Sequence, residues 1–191
     1  RTVRYVLTDG DGGTSANYDT TVTVSGVNDA PTITNDGAGV TASISIAENT
    51  TAVTTVTATD VDAGQSRTYS IIGGADAGRF TIDSSTGQLS FLSAPNYESA
   101  TDSGSNNVYD VTVQVSDGNG GTDTQAIAVA VTNANENPTD LSLSANSVAE
   151  NAVNGTVVGT VSGTDPDSGD TKTYSLTDTA GGRFVINSST G

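Results

Sequence analysis

Cysteine and histidine are both absent from the 191 residues, and their absence removes much of protein chemistry. Without cysteine there is no disulfide framework, no thiolate zinc site and no sulfur nucleophile. Without histidine the commonest general base and the commonest transition-metal ligand are gone. Lys172 is the only lysine, and it lies in the polar run Asp170-Thr171-Lys172-Thr173, a poor setting for a serine–lysine catalytic pair. The chain therefore reads as a non-enzyme. Basic residues are scarce: 6 against 22 acidic ones, a formal net charge of -16. Nucleic acids and anionic membrane surfaces call for basic patches, so neither fits as a partner. No run of about 18 apolar residues exists to insert in a membrane, and the opening Arg1-Thr2-Val3-Arg4-Tyr5-Val6-Leu7 alternates like a strand rather than a signal peptide. What remains is an inventory of hard oxygen atoms, which suits calcium or magnesium, or no metal at all.

Aromatics make up only 5%, and a mix dominated by Thr, Ser, Gly and Asp would suit disorder. Alternation of the apolar residues argues otherwise. Val3, Tyr5 and Leu7 share one face, Asp9-Gly10-Asp11-Gly12-Gly13 makes a turn, Val22 and Val24 continue a second strand, and Asn28-Asp29-Ala30-Pro31 closes the segment. The pattern returns with Val111, Val113 and Val115, the turn Asp117-Gly118-Asn119-Gly120-Gly121, then Ile127, Val129 and Val131, and the closing Asn135-Glu136-Asn137-Pro138. A second set of matches runs between these closings and past the last. Ala47-Glu48-Asn49 recurs as Ala149-Glu150-Asn151, Thr59-Asp60-Val61-Asp62 as Thr164-Asp165-Pro166-Asp167, and Gly78-Arg79-Phe80 as Gly182-Arg183-Phe184. Three modules result: the closing hairpin of one at 1–30, a complete one at 31–137, and the opening half of another at 138–191. The expectation is a piece of a longer array.

Within 31–137 the alternation predicts strands at Ser43–Ile46, Val53–Thr59, Thr68–Ile72, Phe80–Ile82, Gln88–Phe91, Tyr109–Ser116 and Gln125–Thr132. Seven short strands with Gly, Asp and Asn turns give an all-β fold, a tandem of seven-stranded Greek-key β-sandwiches of immunoglobulin-like architecture. The expected core is Ile44, Ile46, Val56, Tyr69, Ile71, Phe80, Ile82, Leu89, Val111, Val113, Val115, Ile127, Val129 and Val131. Asp36, Asp76, Asp83, Asp102, Asp123, Asp140 and Asp178 read as solvated turn residues.

The oxygen-rich joint Asn133-Ala134-Asn135-Glu136-Asn137-Pro138 suits a hard cation, although a polar linker without a ligand has the same composition. Asp60 and Asp62 aim the same way from an extended chain, and Asp117 joins them if its turn shares their pole. Three carboxylates held together raise one another's pKa, a cost that a divalent ion removes. At the opposite pole come Glu48 and Glu98, the linker, and Asp165 and Asp167 of the next module. An EF-hand loop is excluded, since its twelfth position needs glutamate and counting from Asp9, Asp60, Asp117 and Asp165 reaches Thr20, Ile71, Ala128 and Leu176.

Ala47-Glu48-Asn49, Asp60-Val61-Asp62, Asn96-Tyr97-Glu98, Asp117 and Asn133–Pro138 resemble, in order and spacing, the calcium-binding signatures of cadherin repeats. The resemblance implies Ca²⁺ as cofactor. It implies one joint built from Glu48, Glu98, Asn135, Glu136, the Asn137 carbonyl, Asp165 and Asp167, and another from Asn28, Asp29, the Ala30 carbonyl, Asp60, Asp62 and Asp117. The family usually has aspartate where this chain has Asn96, Asn133 and Gly26, which lowers the carboxylate count of each joint. The Asp-Gly-Asn-Gly-Gly turn resembles the bacterial branch. The function so implied is a calcium-rigidified extracellular repeat segment of a secreted or cell-surface bacterial adhesin or stalk, serving cell adhesion or matrix attachment. Its partners would be neighbouring modules of the same chain, with a homophilic, protein or glycan ligand beyond. Two other readings are a carbohydrate- or protein-recognition module and a strand-complemented, fibre-forming subunit.

Overall fold

The computed structural model describes residues 1–191. A hairpin comes first, β1 (Thr2–Tyr5) with β2 (Tyr18–Thr21). Then follow β3 (Thr32–Ile33), β4 (Thr41–Ala47), β5 (Ala52–Thr55), β6 (Ala58–Thr59), β7 (Thr68–Gly73), β8 (Phe80–Ile82), β9 (Gln88–Phe91), β10 (Val108–Ser116) and β11 (Thr122–Thr132). The last pair is β12 (Thr139–Leu143) with β13 (Val161–Thr164). One 3-10 turn, Ala77–Arg79, is the single departure from an all-β chain.

Strands β3 to β11 form a β-sandwich. One sheet runs β4-β11-β10-β7; the other side is β5-β9-β8 with the small pair β3-β6. β4 joins β11 in parallel, while β11, β10 and β7 pair antiparallel. Side chains two apart share a face of a strand, so β10 buries Tyr109, Val111, Val113 and Val115, and β11 buries Ile127, Val129 and Val131. Leu89, Phe91 and Phe80 meet them from the other side. The Phe91 ring lies 4.3 Å from that of Phe80 and 5.1 Å, edge-on, from that of Tyr109. Each such fully buried side chain contributes about 1.5–3 kcal/mol.

The structure departs from the sequence reading at several places. Val53–Thr59 is not one strand. The chain changes sheets inside it, β5 pairing with β9 and β6 with β3. Val56 N donates to Gly87 O (2.8 Å) and Thr57 O accepts from Thr34 N (2.8 Å), so adjacent residues are bonded to two different strand groups. Strand β2 ends at Thr21, short of Val22 and Val24. Ile33, Ala42, Ala58, Phe91 and Tyr109 join the core, whereas Ile44, Ile46, Ile71 and Ile82 are only partly buried against it. Asp76 and Asp102 are not solvated. Asp76 accepts from Ser103 N (2.7 Å) and Asp110 N (2.9 Å), and Asp102 from Asn106 N and Asn107 N (both 3.0 Å), which anchors two loops.

All the buried apolar side chains lie between Pro31 and Val131. Segments 1–30 and 138–191 contribute none, and their Leu7, Val24, Leu141, Val153 and Val185 are exposed. Their local geometry nevertheless repeats the sandwich. Val161 N donates to Gly191 O (3.0 Å) as Val56 N does to Gly87 O, and Tyr174 N to Ser188 O (2.9 Å) as Tyr69 N does to Ser84 O (3.0 Å). The Asp9 turn matches the Asp117 turn: Gly13 N reaches Asp9 Oδ1 at 2.7 Å, and Gly121 N reaches Asp117 Oδ1 at 2.9 Å.

Candidate metal centres

At the exit end of the sandwich β4 runs into Glu48, whose amide donates to Thr132 O (3.0 Å) while Asn49 N donates to Pro95 O (3.0 Å). Asn49 turns the chain there with φ at 60°. The Glu48 side chain, 1% exposed, accepts from Tyr97 N (2.8 Å) and Ala134 N (3.0 Å). One acid thus ties the loop carrying Asn96 and Glu98 to the linker. Glu136 N donates to Asp167 Oδ2 (2.6 Å), which ties the linker to the turn after β13, and Asn49 Nδ2 donates to Glu136 Oε1 (2.6 Å).

These ties bring Glu48, Glu98, Glu136 and Asp167 together, with one carboxylate oxygen from each within 4.8 Å of all the others. Oxygens on opposite sides of a calcium ion sit about 4.6–5.2 Å apart, so the set fits around one ion. Glu136 Oε2, Asp167 Oδ1 and Asn96 Oδ1 are buried with no hydrogen-bond partner. Burying anionic oxygens without a partner is costly, and two charges 4 Å apart repel by roughly 4 kcal/mol at an effective dielectric near 20. Partial desolvation pushes the Glu98 carboxyl above its ordinary range; repulsion from Glu48, Glu136 and Asp167 adds to this, against a backbone hydrogen bond that lowers it. A divalent cation relieves both costs, and an all-oxygen donor set selects calcium over zinc.

The entry end uses the same turn. Asp62 N donates to Asp60 Oδ1 (2.9 Å), and Asp62 Oδ2 accepts the linker amide of Asp29 (2.7 Å). Asp167 N donates likewise to Asp165 Oδ1 (3.1 Å) at the exit. The surroundings differ. Asn28 Nδ2 donates to Asp117 Oδ2 (2.8 Å), and Asn28 Oδ1 accepts from Gln65 Nε2 (2.8 Å), a relay of amides across the joint. That bond from Asn28 holds the Asp117 carboxyl below its ordinary range against the effect of desolvation, helped by the amides of Asn119 and Gly121. Gly121 is required by packing: a Cβ there would collide with Asp117 Oδ2 and sit 2.8 Å from the Cα of Ala30. Asp60 Oδ2 and Gln65 Oε1 are buried without partners.

Some expected ligands lie outside the four-acid cluster. Asp165 groups instead with Asp167 and Asp170. Asn135 turns its Nδ2 onto Glu136 O (3.2 Å), and Asn137 is exposed. Conversely Asp170 and Gln65 stand at the sites although no sequence motif pointed to them. Aligning the two Asp-x-Asp turns places them at the same position.

The cadherin domain family model matches residues 42–132. Among solved structures, human CDH23 EC21-23 is similar at a TM-score of 0.60 and 25% identity, over 89% of this chain and 55% of that one. Mouse cadherin-23 EC22-24 follows at 0.54 and 27%, over 86% and 53%. A protocadherin gamma B7 structure of extracellular cadherin domains 1-4, at 0.50 and 19% over 88% and 48%, supports the fold alone. The chain spans about half the length of these structures. No curated protein matches it by sequence. No helix is long and apolar enough to cross a membrane.

Proposed function

We propose that the chain is a calcium-stiffened segment of an extracellular array, because the cadherin domain family model matches residues 42–132 and domains of that family bind calcium outside the cell. The modules assigned are 1–30, 31–137 and 138–191. The observation that carries this reading is the origin of the four clustered acids: Glu48 and Glu98 come from the sandwich, Glu136 from the linker and Asp167 from the segment beyond.

In this proposal Glu48, Glu98, Glu136 and Asp167 hold an ion at the exit, with Asn96 Oδ1, Asn135 and Asn137 as neutral donors and Asp165 beside them. Asn28, Asp29, Asp60, Asp62 and Asp117 hold the entry. Bound calcium supplies the positive charge that cancels repulsion among these carboxylates. The chain's own part is to fix the linker: Glu48 grips Ala134 N and Asp167 grips Glu136 N, so the backbone on either side of Asn135 is tethered to two different lobes. The mechanical result is a set angle between modules, the property required of a stalk or adhesin on a bacterial surface. Neighbouring modules of the same chain are the first partners, and no enzymatic step is assigned.

Small-angle scattering of the chain in millimolar calcium and then in chelator tests this, together with limited proteolysis. Chelation is expected to increase flexibility and expose cleavage at 133–138. An unchanged scattering profile with an intact linker would overturn the reading.

A further inference from the structure

The two Asp-x-Asp turns share a backbone but differ in one side chain. Gly64 and Gly169 both take positive φ, 87° and 100°, and the position after each is Gln65 in one and Asp170 in the other. Gln65 directs its Nε2 to Asn28 Oδ1. Asp170 does something else. Its amide closes the turn onto Asp167 O (3.3 Å), and its carboxylate comes within 4.8 Å of those of Asp165 and Asp167. No protein donor neutralises it.

Acids crowded on a surface turn are not by themselves a site. Here one member is 4% exposed: Asp167, whose Oδ1 is buried and has no hydrogen-bond partner. Asp167 belongs both to this trio and to the cluster with Glu48, Glu98 and Glu136. An unpartnered anionic oxygen where two groups of carboxylates meet calls for positive charge on its open side.

We propose that Asp170 is a calcium ligand, acting with Asp165 and Asp167 beside the four-acid site, and that the Gln65/Asp170 exchange raises the calcium affinity of the exit turn and withholds the same ligand from the entry turn. The inference rests on the calcium-joint reading above. Affinity in oxygen-ligand sites rises with the number of charged ligands. A third carboxylate on the exit turn, against an amide already committed to Asn28 on the entry turn, adds to the charge that Glu48, Glu98 and Glu136 already bring to the exit.

Calcium titration calorimetry on the full chain tests this with Asp170→Asn and Gln65→Asp, and with Asp165→Asn as reference. Asp170→Asn is expected to weaken one exit step about tenfold, and Gln65→Asp to strengthen an entry step by a similar factor. Isotherms of both variants that coincide with the parent's, while Asp165→Asn weakens binding, would overturn the role of Asp170 and leave the joint intact. If Asp165→Asn and Glu48→Gln also change nothing, the joint reading itself fails. Asp170 is exposed, so Asp170→Asn should melt in chelator no lower than the parent; a lower melt marks structural damage, and Gln65→Asp then decides.

Discussion

The entry and exit ends of the sandwich are built on one turn, yet they reach opposite electrostatic solutions. At the entry, Asn28 donates to Asp117 and accepts from Gln65, so amide groups neutralise part of the acidic surface without an ion. At the exit, carboxylates face carboxylates, and Glu136 Oε2 and Asp167 Oδ1 are left buried with no donor. The entry is a largely hydrogen-bonded contact in which one buried carboxylate oxygen, Asp60 Oδ2, still lacks a donor. The exit is a contact that lacks a positive charge. An identical motif, Asp-x-Asp, thus stands in two different settings: Gln65 and Asn28 face it at the entry, and Glu48, Glu98 and Glu136 face it at the exit.

The substitution with the largest expected effect breaks this comparison at its exit side. Glu48 is the one acid that binds two loops and belongs to the cluster. Glu48→Gln keeps one acceptor and removes the charge, so in calcium it should cost about 1.5–3 kcal/mol, the range of hydrogen bonds to a charged group. In chelator the loss should be smaller, because the variant also removes a repelling charge. Thermal melts in both conditions measure the difference. Equal losses would make Glu48 a loop anchor only, and the two ends would no longer differ in kind.

A middle-sized effect sharpens the comparison from outside the joints. Asp102 is also a buried acid, but both its oxygens accept backbone amides, from Asn107 and Asn106. Its carboxyl is held below its ordinary range because those bonds outweigh the opposing desolvation. Asp102→Asn should cost about 1–2 kcal/mol by the same amount with calcium and without it. A calcium-dependent loss would mean that burial alone, and not the missing donor, marks a metal site.

Much of this was legible in the sequence, and what was not has a physical reason. Alternation at Val111, Val113 and Val115 marks a strand because a pleated chain buries every second residue, and the Asp117-to-Gly121 turn is readable because Gly121 has no room for a Cβ. The break at Val56–Ala58 was not readable. Both residues are buried, so the period of two runs unbroken through a change of sheet. Asp76 and Asp102 resemble solvated turn acids in composition, and the amide of Asp110 that caps Asp76 arrives from far along the chain. At the joints, the acids from both lobes could be named from motifs. Their division into two groups meeting at Asp167 depends on side-chain directions that spacing leaves open.

The smallest expected effect separates the two ends by sign. In calcium-free solution Glu98 has a raised pKa, so the folded state binds protons more readily than the unfolded chain. Its unfavourable contribution is present above the folded pKa and disappears as pH falls through that value toward the ordinary one near 4.3. The exit should therefore tighten on mild acidification. Asp117 has a lowered pKa; its favourable contribution is complete above the ordinary value near 3.9 and is lost as pH falls through the folded one. The entry should loosen, and at lower pH. Hydrogen exchange at the two linkers in chelator, followed from about pH 6 to pH 3, reads both. Protection should rise first at Ala134 and Glu136 and fall later at Asp29. Asn28→Ala, which removes the first cause of the Asp117 shift, should abolish the second change and leave the first. If both linkers lose protection together, the contrast between an amide-neutralised joint and an ion-dependent one is wrong.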